Sequence, residues 1–228
     1  MPESRPAEPE SLRVILGGRR GAIDATLPVA AFAIALVVTQ LVDVPQPGPV
    51  YWAGGVALVV AAAVAAVRLA QGRKPRSVLL GLLGVAVGAA VAFYTGRAVD
   101  FFLPQLILNA GSALAWAVSI VIRWPFLGLI VGGILGQRTR WRRDPHLLLG
   151  YQRASWAWVG QYLLRLVVFI PLYLLGADVV LAITRIALTW PLIAVCIAVS
   201  WPLLRSALPP GHPGIRHPVD PGVVRGTG

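Results

Sequence analysis

The sequence predicts an all-α fold, a polytopic transmembrane helical bundle of about six spans with the N and C termini cytoplasmic. Three observations lead there. Hydrophobic residues make up 57% of the 228 and charged residues only 13%, too little polar surface for a water-facing globule. Apolar windows long enough to cross ~30 Å of hydrocarbon at ~1.5 Å per residue recur along the chain. Cations, 20 Lys and Arg against 9 Asp and Glu, concentrate in alternate connections. The first observation argues against a soluble enzyme and against disorder of the main body. A single cysteine, Cys196, excludes a disulfide framework or a zinc site built from several thiolates.

Residues 1–21 form a cytoplasmic N-terminal segment, 22–205 the six-span domain and 206–228 a flexible cytoplasmic tail rich in Pro and Gly. The first span, Ala25 to Val42, lies between Asp24 and Asp43. Its apolar run exceeds the ~7–15 residues of a secretory signal and no small-x-small site follows, which predicts a retained helix. Val50 to Val67 ends at Arg68, and Ser77 to Gly96 lies between Arg76 and Arg97. Phe101 to Ile122 continues past Trp124-Pro125 to Gly136, longer than one crossing needs. Pro125 lacks an N–H, so a kink is expected there, with the remainder tilted or lying along the inner interface. Asp144-Pro145 has the pattern of an N-cap followed by proline at the first helical position, opening an interfacial helix into the fifth span, Trp156 to Leu175. The sixth runs from Val179 to Leu204.

Orientation follows from arginine and lysine. Arg5, Arg13, Arg19 and Arg20 precede the first span. Arg68, Arg73, Lys74 and Arg76 lie between the second and third, and Arg138, Arg140, Arg142, Arg143 and Arg153 between the fourth and fifth. The opposite loops hold Arg97 alone. Both termini are therefore placed inside, which requires an even number of crossings.

Small residues at every fourth position predict close helix contacts: Ala53, Ala57, Ala61 and Ala65; Gly84, Gly88, Ala92 and Gly96; Gly128, Gly132 and Gly136. These faces are open to another helix of the chain, a second copy or a partner membrane protein. Aromatic belts are expected from Trp52, Phe101, Phe102 and Tyr173 outside and from Trp141, Tyr151, Trp156 and Trp201 inside. The string Ile120 to Leu127, containing Trp124-Pro125, echoes Ile186 to Ile193, containing Trp190-Pro191. Parallel repeats or convergent use of Trp-Pro both account for it.

The candidate chemistry centres on Arg165. Eleven uncharged residues separate it from Arg153 and twelve from Asp178, so it lies at mid-membrane, where an unpaired arginine costs roughly 2.5–3.5 kcal/mol. It serves either as a site for a lipid headgroup or small anion, or as an internal clamp bonded to Asn109, Gln161 or helix carbonyls. Arg185 either snorkels outward or joins Arg165 and Asn109 in a polar pocket. Arg123, Arg138, Arg140, Arg142 and Arg143 are the candidate headgroup contacts, and anionic lipids at the cytoplasmic face are the expected partners. No nucleic-acid module, phosphate loop, metal-ligand cluster, cofactor motif or catalytic constellation emerges, so neither enzyme activity nor nucleic-acid binding is expected.

Leu16-Gly17-Gly18-Arg19, Asp24, Leu27-Pro28, Asn109-Ala110-Gly111, Arg123-Trp124-Pro125, Trp141-Arg142-Arg143-Asp144-Pro145, Trp156, Leu164-Arg165 and Trp190-Pro191 together resemble an actinobacterial family of membrane proteins, domain of unknown function 3159. The resemblance covers roughly residues 12–205. It implies a bacterial cytoplasmic (plasma) membrane and singles out Asn109, Arg123 and Arg165, while transferring no activity. More distantly, the span order and Leu27-Pro28 resemble the intracellular septation protein A family, which implies a role in envelope integrity. The arginine-rich motifs and Trp-Pro strings depart from that second pattern. The resulting expectation is a structural or interaction protein of the bacterial envelope, with a transporter or conduit for a small anionic solute or lipid as the alternative.

Overall fold

A computed structural model describes residues 18–46, 48–72 and 75–219. Among these, seven α-helices follow one another and no strand occurs: α1 (Gly18–Leu41), α2 (Gly48–Ala70), α3 (Pro75–Thr95), α4 (Leu103–Val121), α5 (Phe126–Ile134), α6 (Pro145–Leu174) and α7 (Asp178–Arg205). Short 3-10 turns at Ala98–Phe102 and Arg140–Arg142 precede α4 and α6. Five helical segments are long and apolar enough to cross a membrane; the apolar part of α1, Ala25–Leu41, is shorter. In the Val78–Thr95 segment only 17% of the residues are buried. Exposed Leu79, Leu80, Leu83 and Val87 make such a helix costly in water and stable in hydrocarbon, so the chain is a multi-pass membrane protein.

The chain divides into two compact units. The first contains residues up to Pro104 together with Gly176–Ile186. The expected alanine stripe of α2 is its packing face, with Ala53, Ala57, Ala61 and Ala65 all buried. Phe32 of α1 stacks on Phe101 with ring centroids 4.0 Å apart, and Phe102 meets both rings edge-on. Of the α3 stripe, Gly88 lies under the Phe101 carbonyl, where a Cβ would come within 2.7 Å, and Ala92 is buried, while Gly84 faces open space.

The second unit contains Gln105–Leu175 and the chain from Ala187 onward. Its core joins Trp116, Ile120, Leu127, Trp141, Leu147, Leu148, Tyr151, Ala154, Val159 and Leu204. Here the chain departs from the expected kink. Instead α4 stops at Val121 in a full break: Arg123 N–H bonds Ile120 C=O and Trp124 N–H bonds Ser119 C=O, with Arg123 left-handed at φ 58. That is a Schellman cap, whose left-handed residue is usually glycine. The following α5 has 9 residues, about 14 Å and too short to span. Trp190-Pro191, by contrast, lies within continuous α7, so the two echoing strings build different structures.

Four of the residues expected in aromatic belts are core instead: Phe101, Phe102, Trp141 and Tyr151 are buried, whereas Trp52, Trp156 and Trp201 are exposed. Helix α6 begins as its sequence predicts, since Asp144 Oδ1 accepts from the His146 and Leu147 amides, but it runs unbroken for 30 residues. Within the tail, His212, Ile215 and Val219 make hydrogen bonds to side chains of the second unit. Residues 1–17 and the side chains of Arg19, Arg20 and Asp24 lie outside the described residues.

Candidate functional site

The apolar helices of the second unit enclose a polar patch. Helix α6 repeats polar groups along its inner face as Tyr151, Ser155, Gln161 and Arg165, all buried. Arg165 Nη2 donates to Gln161 Oε1 at 3.3 Å and to the Thr189 carbonyl of α7 at 3.1 Å. The second acceptor is a backbone carbonyl of α7, a partner legible only once α6 and α7 are paired. The Tyr162 ring lies 5.6 Å from the guanidinium carbon. Two further ties hold the helices together: Trp158 Nε1 donates to Ser200 Oγ at 3.2 Å, and Cys196 Sγ to the Ala157 carbonyl at 3.3 Å.

Helix α4 packs antiparallel on α6. Gln152 Nε2 donates to the Ile120 carbonyl at 3.0 Å, and Trp116 stacks on Trp158 at 5.2 Å. Asn109 is not bonded to Arg165; its Oδ1 accepts from Gln105 Nε2 at 3.2 Å. Asn109 Nδ2 and Arg165 Nε are both buried with no acceptor, and Arg165 has no carboxylate partner among the described residues. Unmet buried donors cost about 1–3 kcal/mol each, more for a charged group. Arg185 belongs to the first unit, where its guanidinium carbon lies 5.9 Å from the Phe102 ring centroid.

The second candidate surface is the connection from α5 to α6. Trp141 is fully buried, its Nε1 donating to the Arg138 carbonyl at 3.0 Å and its ring edge-on to Tyr151. Gly128 and Gly132 make room for that indole, since a Cβ on Gly132 would approach it to 2.5 Å and the Arg138 carbonyl to 2.9 Å. The glycine spacing of α5 thus serves an aromatic ring rather than a second helix. With Trp141 as its anchor, the loop leaves Arg138, Arg140, Arg142 and Arg143 exposed. Arg142 stacks 4.1 Å over Trp124, beside exposed Arg123. Arg138, like Arg123, is left-handed, with φ 52.

Asp144 closes this loop. Besides capping α6, its Oδ2 accepts from His212 Nε2 at 2.8 Å and from the Val219 amide at 2.9 Å. His212 Nδ1 accepts from the Gly214 amide at 3.0 Å, which assigns the proton to Nε2. Burial pushes the Asp144 carboxyl up, but the Val219 and Leu147 amides and His212 outweigh it and hold the carboxyl below the ordinary aspartate value.

The family model described as Protein of unknown function (DUF3159) matches residues 16–211. The chain belongs to this family. No curated protein and no solved structure matches it. In this DUF3159 member both candidate surfaces, from Asn109 through Arg165 to Thr189 and from Arg123 to Asp144, fall inside the matched residues, and His212 follows directly after them.

Proposed function

We propose that this DUF3159 protein is a structural or interaction component of the bacterial cytoplasmic membrane, without catalytic chemistry, that binds anionic lipid headgroups through the connection between α5 and α6. The observation that carries it is the Trp141 anchor: a buried indole holds a loop whose four arginines all remain exposed. A loop serving only to reverse the chain needs no such anchor. The arginine distribution supports a cytoplasmic position for this surface.

Native mass spectrometry of the purified protein tests the reading. Phosphatidylglycerol or cardiolipin is expected to be retained in preference to phosphatidylcholine. Replacing Arg138, Arg140, Arg142 and Arg143 together by Gln is expected to abolish that preference, each cation contributing about 1 kcal/mol near an anionic surface. An unchanged preference would refute it.

One observation favours a second reading, a conduit for a small anion: the unpartnered Asn109 Nδ2 and Arg165 Nε. On that reading proteoliposomes pass chloride or phosphate, and Arg165→Gln stops the flux at normal membrane abundance. Absence of flux in the wild type, with loss of abundance in Arg165→Gln, makes Arg165 a clamp between α6 and α7.

A further inference from the structure

We propose that residues 206–219 act as a clasp over the basic loop and add Arg216 to it, so that docking of this segment and binding of an anionic phospholipid headgroup reinforce each other. The inference rests on the headgroup reading and extends it beyond the loop. The two anchors of the segment bracket the arginines. Gln137, directly before Arg138, donates from Nε2 to the Ile215 carbonyl at 2.7 Å, and Asp144, directly after Arg143, accepts from His212 and Val219. The segment therefore spans the loop from one edge to the other.

Among the described residues no carboxylate is paired with either cation of this attachment. Arg138 follows Gln137 and Arg216 follows Ile215, so one hydrogen bond carries a cation on each side, both exposed. The carboxylate nearest the loop in sequence, Asp144, is buried and occupied by four donors. Docking brings like charges together, and a headgroup phosphate between them reverses the sign of that term. By linkage, a lipid that favours the docked segment is itself bound more tightly by it. The backbone adds an independent sign. Arg138 and Arg123 hold left-handed conformations that suit glycine, and an arginine kept where glycine is easier points to a use for its side chain.

The test uses the full chain in neutral detergent, titrated with phosphatidylglycerol or phosphatidylcholine, with hydrogen exchange of the Val219 amide as the measure of docking. Phosphatidylglycerol is expected to slow that exchange, and phosphatidylcholine and inorganic phosphate to leave it unchanged. Arg216→Gln is expected to weaken phosphatidylglycerol binding about fivefold while lipid-free Val219 stays protected. Asp144→Asn keeps an oxygen to cap α6 but turns an amide donor toward His212 and Val219; it is expected to expose Val219 and weaken phosphatidylglycerol to a similar degree. Arg138→Gly relieves the backbone, so its expected loss of lipid affinity comes without loss of stability. Wild-type lipid affinity in an Asp144→Asn protein whose Val219 amide is exposed overturns the coupling, and inorganic phosphate slowing exchange as well as the lipid overturns the headgroup assignment. Failure of the headgroup reading itself has a different signature: the fourfold arginine variant binds phosphatidylglycerol like the wild type.

Discussion

The two units bury different things. In the first, the interior is almost entirely apolar: Phe32, Leu36, Phe101 and Phe102 against the alanines of α2, with Asp100 the buried charged or polar side chain among its described residues. In the second, Asn109, Ser119, Gln137, Asp144, Ser155, Gln161 and Arg165 are all buried. Lipid gives helices little hydrophobic reason to associate, so the first unit relies on small residues and ring stacking, while the second uses polar contacts that cost free energy unless satisfied. The second leaves several donors and hydroxyls unmet, among them Asn109 Nδ2 and Arg165 Nε of the proposed anion site.

The largest expected effects set one aromatic anchor against another. Trp141→Ala should cost about 3–5 kcal/mol and raise hydrogen exchange across α5 and the start of α6, leaving the amides of α2 and α3 protected. Phe32→Ala, of comparable cost, should do the reverse. If both variants loosen all helices equally, the division into units has no energetic meaning. Gly132→Ala comes next: a Cβ at 2.9 Å from the Arg138 carbonyl and closer still to the indole should cost about 1–3 kcal/mol, seen as a lowered Tm in detergent.

A pH titration sharpens the polar side of the contrast. The Asp144 carboxyl is held below its unfolded value, so its contribution is complete above that unfolded value, about 3.9, and is lost as pH falls through the lower folded one. The protection of the Val219 amide, its exchange rate relative to the unstructured rate at the same pH, should therefore keep the contribution of the Asp144 carboxylate at neutral pH and lose it only in acid below about 3.9. The smallest expected effect lies in the first unit. Gly84→Ala meets nothing within 4 Å and should leave Tm unchanged or raised by the equivalent of less than ~1 kcal/mol. Gly88→Ala, meeting the Phe101 carbonyl at 2.7 Å, should lower it. Equal behaviour of the two would mean that Gly88 does not hold Phe101.

Much of the architecture was legible in advance. The spans, the alanine face of α2 and the Asp144 cap all follow from residue type and local spacing, because hydropathy and capping depend on neighbours within a turn or two. The candidate site was legible as Arg165 bonded to Gln161 and a helix carbonyl, but not which carbonyl, that of Thr189 on α7. The aromatics were assigned to the wrong solvent for a related reason. A tryptophan near an interface suits a belt as well as a core, and what decides for Trp141 is the space left by Gly128 and Gly132 on another helix.

Residue type and order by themselves determined that this is a multi-pass membrane chain and which segments are apolar enough to cross, since those quantities are sums along a segment. Tertiary structure alone decided that Trp141 is an anchor, that Arg165 bonds the Thr189 carbonyl of α7, and that residues 206–219 return to Asp144. Each of these depends on which groups meet across a separation of up to 75 residues, and hydrogen bonds and close packing act over a few ångströms in space irrespective of distance along the chain.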